Sequence, residues 1–419
     1  MAIWITQLNK KEKRTLGACF SGWCLDAFDV QIYSFLIPAL IATWSISKGQ
    51  AGLLGTIALI ASAIGGWATG FLADRYGRVR MLQISVLWFS VFNFMSGFTT
   101  SFDQLMIVRA LQGLGFGGEW AAGAVLMAEV IRPEFRGKAG GYVQSAYALG
   151  WALAATVSSV FLAFLPPDWA WRAVFWSGLL PALIVIFIRR YLDDSEVFKE
   201  SLRIRKQTGA RISILTIFQP GMLRITILTS LLALGIQGSS YAIITWLPTY
   251  LKTVRHLSVG GIGAYVGVVT LGAFCGYIAS AHLSDKVGRR RNFQIFAVGC
   301  WVIDFSYMML ADSNASVLIL GYFLGFFSQG IYAALGPYFS ELFPTHVRAT
   351  GQAFAYSFGR CFGSLFVLLV GWLSDFMPLE KAIGIFSLGG YCLPLLALLL
   401  LPETKGRALT VEIPASPAD

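Results

Sequence analysis

Apolar runs of about 20 residues recur along nearly the whole chain, and they leave little choice of fold. Gly52 to Leu72, Met81 to Phe98, Ala173 to Ile188, Gly267 to Leu283 and Val317 to Phe339 carry almost no charge. About 20 helical residues, rising 1.5 Å each, cross a bilayer core about 30 Å thick, and a helix satisfies its own backbone hydrogen bonds there. Charged residues are only 13% of the 419 and hydrophobic ones 56%, whereas soluble domains carry roughly 25% charged. The pattern predicts an all-α membrane protein of twelve transmembrane helices. The spans are expected over 16–40, 50–73, 79–100, 104–130, 139–164, 171–190, 222–250, 262–283, 293–311, 315–340, 352–374 and 382–401.

A formal charge of +10 invites a nucleic-acid reading, which the distribution of charge rejects. Most Lys and Arg fall in alternate connecting segments, as in Lys10 to Arg14, Arg75 to Arg80, Arg132 to Lys138, Arg189 to Arg211 and Lys286 to Arg291. The other side holds only Lys48, Arg172, Lys252, Arg255 and Lys381, while Arg109 and Arg360 lie inside spans. Basic residues on one side mark the cytoplasmic face, so both termini are expected in the cytoplasm of a plasma (inner) membrane protein. The six cysteines all fall in spans without a CxxC pair and read as packing residues. The basic N-terminus leads into a stretch interrupted by two Asp, which reads as the first span and not as a signal peptide.

The longest polar stretch, Tyr191 to Arg211, sits at mid-chain. Around it the sequence repeats. Asp74-Arg75-Tyr76-Gly77-Arg78 recurs as Asp285-Lys286-Val287-Gly288-Arg289, an offset of 211. Glu129 and Arg136 are echoed by Glu341 and Arg348, an offset of 212. Two features at nearly one offset argue for a parallel duplication. The expected organisation is a six-helix bundle over 1–190, a cytoplasmic linker over 191–221 and a second six-helix bundle with a short tail over 222–419.

Gly70-Phe-Leu-Ala-Asp74-Arg75-Tyr-Gly77-Arg78 resembles the loop 2–3 signature of the major facilitator superfamily, and Arg109-Ala-Leu-Gln112-Gly113 its helix 4 motif. Asp26-Ala-Phe-Asp29, Gly118-Glu119-Trp120 and Phe343-Pro344 to Gly351 resemble the metabolite:proton symporter branch, whose members carry sialate (sialic acid), lactate, aromatic acids and shikimate. The resemblance implies alternating access around a site near the membrane midplane, normally in a monomer. It also implies that the repeated loops gate the cytoplasmic side through Asp74, Arg75, Gly77, Arg78, Glu129 and Arg136, and through Asp285, Gly288, Arg289, Glu341 and Arg348.

Ionisable residues inside spans are the chemical candidates, because a charge at the bilayer centre costs roughly 2.5–3.5 kcal/mol on the gentlest scale. Gly22, Asp26, Asp29 and Tyr33 share one face of helix 1. Asp26, Asp29 and Glu119 are the candidate proton sites; capping a break or pairing permanently with an Arg is the structural alternative. Arg360 is the candidate for the substrate carboxylate, since its planar fork matches one and it stays charged. A pair with an acid of the other half is the competing reading, and the two can alternate. Arg109 is either a ligand or a packing residue. Tyr33, Gln144, Tyr147, Gln237, Tyr241, Gln329, Tyr332 and Tyr356 suit the cavity wall or interhelical hydrogen bonds.

The sequence reading is an importer of a small organic carboxylate with protons, having no catalytic residue, no cofactor beyond the coupling protons and no metal. Its partners are an organic anion and lipid. A uniporter or antiporter of a neutral sugar or drug is the alternative, disfavoured by Arg360. Only three His occur, with no HExxH, GxSxG or phosphate loop, which argues against an enzyme.

Overall fold

The computed structural model describes residues 3–76, 78–132, 135–180, 182, 217–311, 313–343 and 348–405. The linker expected over 191–221 falls almost wholly outside them. A short α1 (Ile3–Thr6) precedes α2 (Lys10–Trp44), α3 (Lys48–Tyr76), α4 (Arg78–Ser96), α5 (Phe102–Val130), α6 (Arg136–Phe164) and α7 (Pro167–Ser177). The second half holds α8 (Pro220–Thr253), α9 (Val259–Val287), α10 (Arg289–Met309), α11 (Asn314–Gly330), α12 (Leu335–Leu342), α13 (Arg348–Gly363), α14 (Leu365–Leu373) and α15 (Leu379–Leu400). No strand occurs among the described residues.

Nine stretches among them are long and apolar enough to cross a membrane, with α11–α12 and α13–α14 each forming one span. Helices α5 and α10, with 29 and 21 residues, also have the length. The surface is apolar: Phe164, Trp169, Ile319, Phe376 and Leu399 are exposed, while Asp26, Asn93, Ser240, Asp304 and Arg360 are buried. This inside-out distribution suits lipid as solvent.

Spans 1, 10 and 11 depart from the sequence reading by more than four residues at an end or by an internal break. The first span starts at Lys10 and not at 16, because Asn9 and Glu12 form a reciprocal capping box that extends the helix. Glu12 is held by Arg132, whose Nε lies 2.9 Å from Oε1. Span 10 is not a single helix: a 3₁₀ turn (Ile331–Ala334) separates α11 from α12. Pro337 lacks the N–H that would reach the Ala333 carbonyl, so the turn tightens there. Span 11 pinches at Ser364, whose carbonyl accepts from Val367 N at 3.0 Å and from Thr56 Oγ1 of the other half at 2.8 Å.

Glycines decide how close the helices come. A Cβ at Gly65, Gly113 or Gly117 would overlap a backbone carbonyl across the α3–α5 seam, and one at Gly272, Gly276 or Gly325 would do so across α9–α11. Gly65 and Gly276, and Gly113 and Gly325, stand at the offsets of 211 and 212 found in the loops. Small residues let backbones approach where lipid supplies no hydrophobic drive for association.

Candidate functional site

Helices α2, α3, α5, α6, α8, α9, α11 and α13, with the 3₁₀ turn, enclose a central cavity. Of the sequence candidates, Tyr33, Arg109, Gln144, Tyr147, Tyr241, Gln329, Tyr332, Tyr356 and Arg360 line it. Gln237 stands one layer back. Its Nε2 donates to the Tyr356 carbonyl at 2.8 Å and its Oε1 accepts from Tyr241 OH at 3.1 Å. It therefore positions two wall tyrosines. Trp23, Gln31, Phe116 and Tyr277 also line the cavity and were not singled out from sequence. Tyr277 OH donates to Gln329 Oε1 at 3.1 Å.

The two cations of the wall are held differently. Arg109 lies over the Tyr33 ring, 4.4 Å from its centroid, and its Nη1 donates to Gln112 Oε1 at 2.7 Å. Tyr33 in turn donates to the Ala51 carbonyl. Arg360 lies 4.7 Å from the Phe116 centroid and 5.1 Å from that of Tyr356. Both guanidinium groups are 4% exposed, and neither Nε has an acceptor among the described residues. Aromatic faces attract a cation without consuming its N–H donors, so both forks keep directional capacity for an anion.

Asp26 and Asp29 are buried in α2 but do not line the cavity. Asp26 lies within electrostatic reach of Arg360 and of Tyr147, and Asp29 of Arg109. Asp29 and Asn93 converge on the gap left by Gly178, just past α7, so a Cβ there would lie 2.9 Å from Asp29 Oδ1. The side chain of Glu119 lies outside the described residues, although its backbone belongs to α5.

Of the gating candidates, the side chains of Asp74, Arg75, Arg78, Glu129, Arg136, Asp285 and Arg348, and residue Gly77, lie outside the described residues. In the second half, Gly288 has φ 100°, a conformation that favours glycine, and opens α10. Arg289 Nη2 lies 3.3 Å from Glu341 Oε1, and its Nη1 donates to Ser284 Oγ at 2.8 Å. A residue the sequence reading passed over completes this cluster. Glu403 accepts from the backbone N–H of Arg289 (2.8 Å), Arg290 (3.1 Å), Thr404 (2.9 Å) and Lys405 (3.0 Å). Partial burial raises its pKa, but these four donors outweigh that and hold it below the ordinary glutamate value. Thr404 donates its hydroxyl to Glu341, tying the C-terminal segment to the same cluster.

The family model of the Major Facilitator Superfamily matches residues 19–367. A probable 4-methylmuconolactone transporter of Cupriavidus pinatubonensis is 47% identical over 98% of this chain and 95% of the relative. A putative niacin/nicotinamide transporter of Bacillus subtilis is 32% identical over 87% of this chain and 89% of its own length. The inward-open xylose transporter of Escherichia coli superposes with a TM-score of 0.74 over 94% of this chain and 97% of that one, at 19% identity, which speaks to fold alone. Buried seams, a cation-bearing cavity and these matches agree: the chain belongs to the Major Facilitator Superfamily, a family of multi-pass membrane transporters and not of enzymes.

Proposed function

We propose that this protein imports a small organic carboxylate, one with a ring or unsaturated body, together with protons. The observation that carries the reading is the pair of buried guanidinium groups, Arg109 and Arg360, each with an unclaimed Nε in an otherwise neutral aromatic wall. A neutral cargo offers neither fork a charge to pair with; a carboxylate matches either bidentately. The tyrosines of the wall offer faces and hydroxyls to the body of the substrate. The relatives named for 4-methylmuconolactone and for niacin/nicotinamide support cargo of this size and kind.

Coupling follows from competition for one cation. In the empty cavity Asp26 offsets Arg360 electrostatically. When a substrate carboxylate takes the fork, Asp26 loses that stabilisation in a desolvated site and binds a proton. Anion and proton then cross together, and return becomes favourable only after both leave. One proton with a monoanion moves no net charge, whereas a second proton would add about 2.3 kcal/mol of drive per 100 mV. The charge distribution supports a cytoplasmic side for the termini and the linker.

The test is uptake into proteoliposomes under an imposed pH gradient, acid outside, comparing nicotinate with nicotinamide. These differ in charge and hardly in shape. Accumulation of the acid and not the amide, abolished by Arg360→Ala, is the expected result. Equal uptake of both, indifferent to the gradient, would sink the proposal.

A further inference from the structure

Asp304 is a second kind of buried carboxyl, and nothing in the scheme above uses it. It lies on α10, five residues before the helix ends, or about 8 Å along the axis. Its side chain is 1% exposed, and neither oxygen makes a hydrogen bond among the described residues. The Ser387 hydroxyl stands beside it but is directed at the Gly384 carbonyl, 3.4 Å away.

Among the described residues, no cation stands beside Asp304. From its own helix come the Cys300 thiol, one turn earlier, and Tyr307, which packs on Tyr250 at 6.0 Å between centroids. Helix α15 contributes Tyr391, while its charged residues Glu380 and Lys381 lie about 15 Å earlier along the axis. Helix α8 contributes Ser239 and Ser240, and Arg255 beyond its end is engaged by Tyr250 OH at 2.9 Å. Helix α11 carries no charged residue. Those of α9, including His282, sit in its last turns, next to the start of α10 and about 22 Å from Asp304. Asp26 and Asp29 each have an arginine within electrostatic reach; among the described residues Asp304 has none, and burying a charge without a partner is costly.

A line of hydroxyls leads from this carboxyl to the cavity. The Tyr391 phenol lies within electrostatic reach of Asp304 and Cys300, and its oxygen lies 3.3 Å from Ser240 Oγ. Ser240 is in turn within hydrogen-bonding reach of Tyr332, which lines the cavity. In the form described, Ser240 Oγ also lies 3.3 Å from the Ser328 carbonyl, so rotation about one bond sets which acceptor it serves.

We propose that Asp304 is a proton-binding site, loaded from and unloaded to the central cavity through Tyr391, Ser240 and Tyr332. In unloading, the Asp304 carboxyl swings to meet Tyr391, and its O–H bond breaks as its proton passes to Tyr391 oxygen. Tyr391 gives its own proton to Ser240, Ser240 to Tyr332, and Tyr332 to an acceptor in the cavity. Each hydroxyl ends with one proton, Asp304 is left a carboxylate, and the reverse sequence restores it. The role in transport rests on the proton-coupled reading above, but protonation of the site does not.

The two are separable by experiment. Infrared spectra of the purified full-length protein, without substrate and across neutral pH, are expected to show a protonated-carboxyl stretch that Asp304→Asn removes. An unchanged spectrum overturns the assignment. Ser240→Ala leaves the acid in place and removes the middle hydroxyl. Deuterium exchange at that band should then slow by roughly a hundredfold, the contribution of a positioned proton-transfer group. Unchanged exchange overturns the route, and this variant keeps the test open if Asp304→Asn fails to fold. In proteoliposomes, Asp304→Asn is expected to lower the protons carried per nicotinate by one while nicotinate binding persists; a wild-type ratio overturns the transport role. Failure of nicotinate uptake in the wild type would instead count against the proposed function and leave the infrared result standing.

Discussion

Arg109 and Arg360 face the same cavity but belong to it in different ways. Arg109 draws its neighbours Tyr33, Gln112 and Asp29 from its own half of the chain. Arg360 draws Tyr356 from its own helix but Phe116 and Asp26 from the other half. If the halves rock against each other, Arg109 carries its surroundings along, while Arg360 has to exchange them. A cation whose compensation changes with conformation is the better reporter of a bound anion, and in the function proposed the difference favours Arg360 for binding and coupling and Arg109 for shaping the wall.

The largest effect is expected at Arg360. Arg360→Ala should weaken nicotinate binding by about 2–5 kcal/mol, the usual cost of leaving a buried charge without its partner. Arg360→Lys keeps the charge, loses the fork and should fall in between. Equilibrium binding to purified protein reads both, and an unchanged Arg360→Ala would break the comparison outright. Asp26→Asn comes next: gradient-driven accumulation should disappear while exchange of labelled for unlabelled nicotinate continues. Asp29→Asn should disturb coupling less, because its arginine does not change hands. Reversal of that order would move the coupling site to the Arg109 side. Arg109→Gln should cost about 1–2 kcal/mol of binding, since Tyr33 and Gln112 lose a charge-assisted partner inside one bundle. A loss as large as that of Arg360→Ala would make the two cations equivalent.

Much of this cavity was readable before any coordinates. Helical spacing put Gln144 with Tyr147 and Gln329 with Tyr332 on shared faces, and depth within the runs marked Arg360. Spacing does not say which way a face turns. Gln237 likewise shares a face with Tyr241, four residues on, yet its amide is taken by the Tyr356 carbonyl. Tyr277 and Trp23 were passed over because an aromatic in an apolar run has no signature separating cavity from lipid. Asp304 is a single acid in an otherwise ordinary span, and its significance lies in the absence of a nearby cation, a property of packing. Glu403 belongs to a segment whose sequence resembles any polar tail; only the fold brings it to the start of α10.

The smallest effect is expected there. A carboxyl held below its unfolded pKa stabilises the fold above the unfolded value and loses that contribution as pH falls through the folded one. The anchoring of residues 401–405 should therefore persist at neutral pH and fail only on acidification below the ordinary glutamate range. Glu403→Gln should loosen it at all pH values. Proteolysis of the C-terminal segment in inside-out vesicles measures this, and a segment equally protected in both proteins would leave Glu403 without a holding role.

The glycine seams set a mechanical requirement. Their cohesion comes from dispersion between surfaces in direct backbone contact, a short-range force that falls off within about 1 Å of separation. Such a joint is stiff against opening and indifferent to salt, voltage and protonation. Helices α3 and α5, and likewise α9 and α11, should therefore behave as welded struts throughout the transport cycle. Disulfides engineered across a seam should leave transport running, whereas one between Thr56 and Ser364, which joins the two halves, should arrest it.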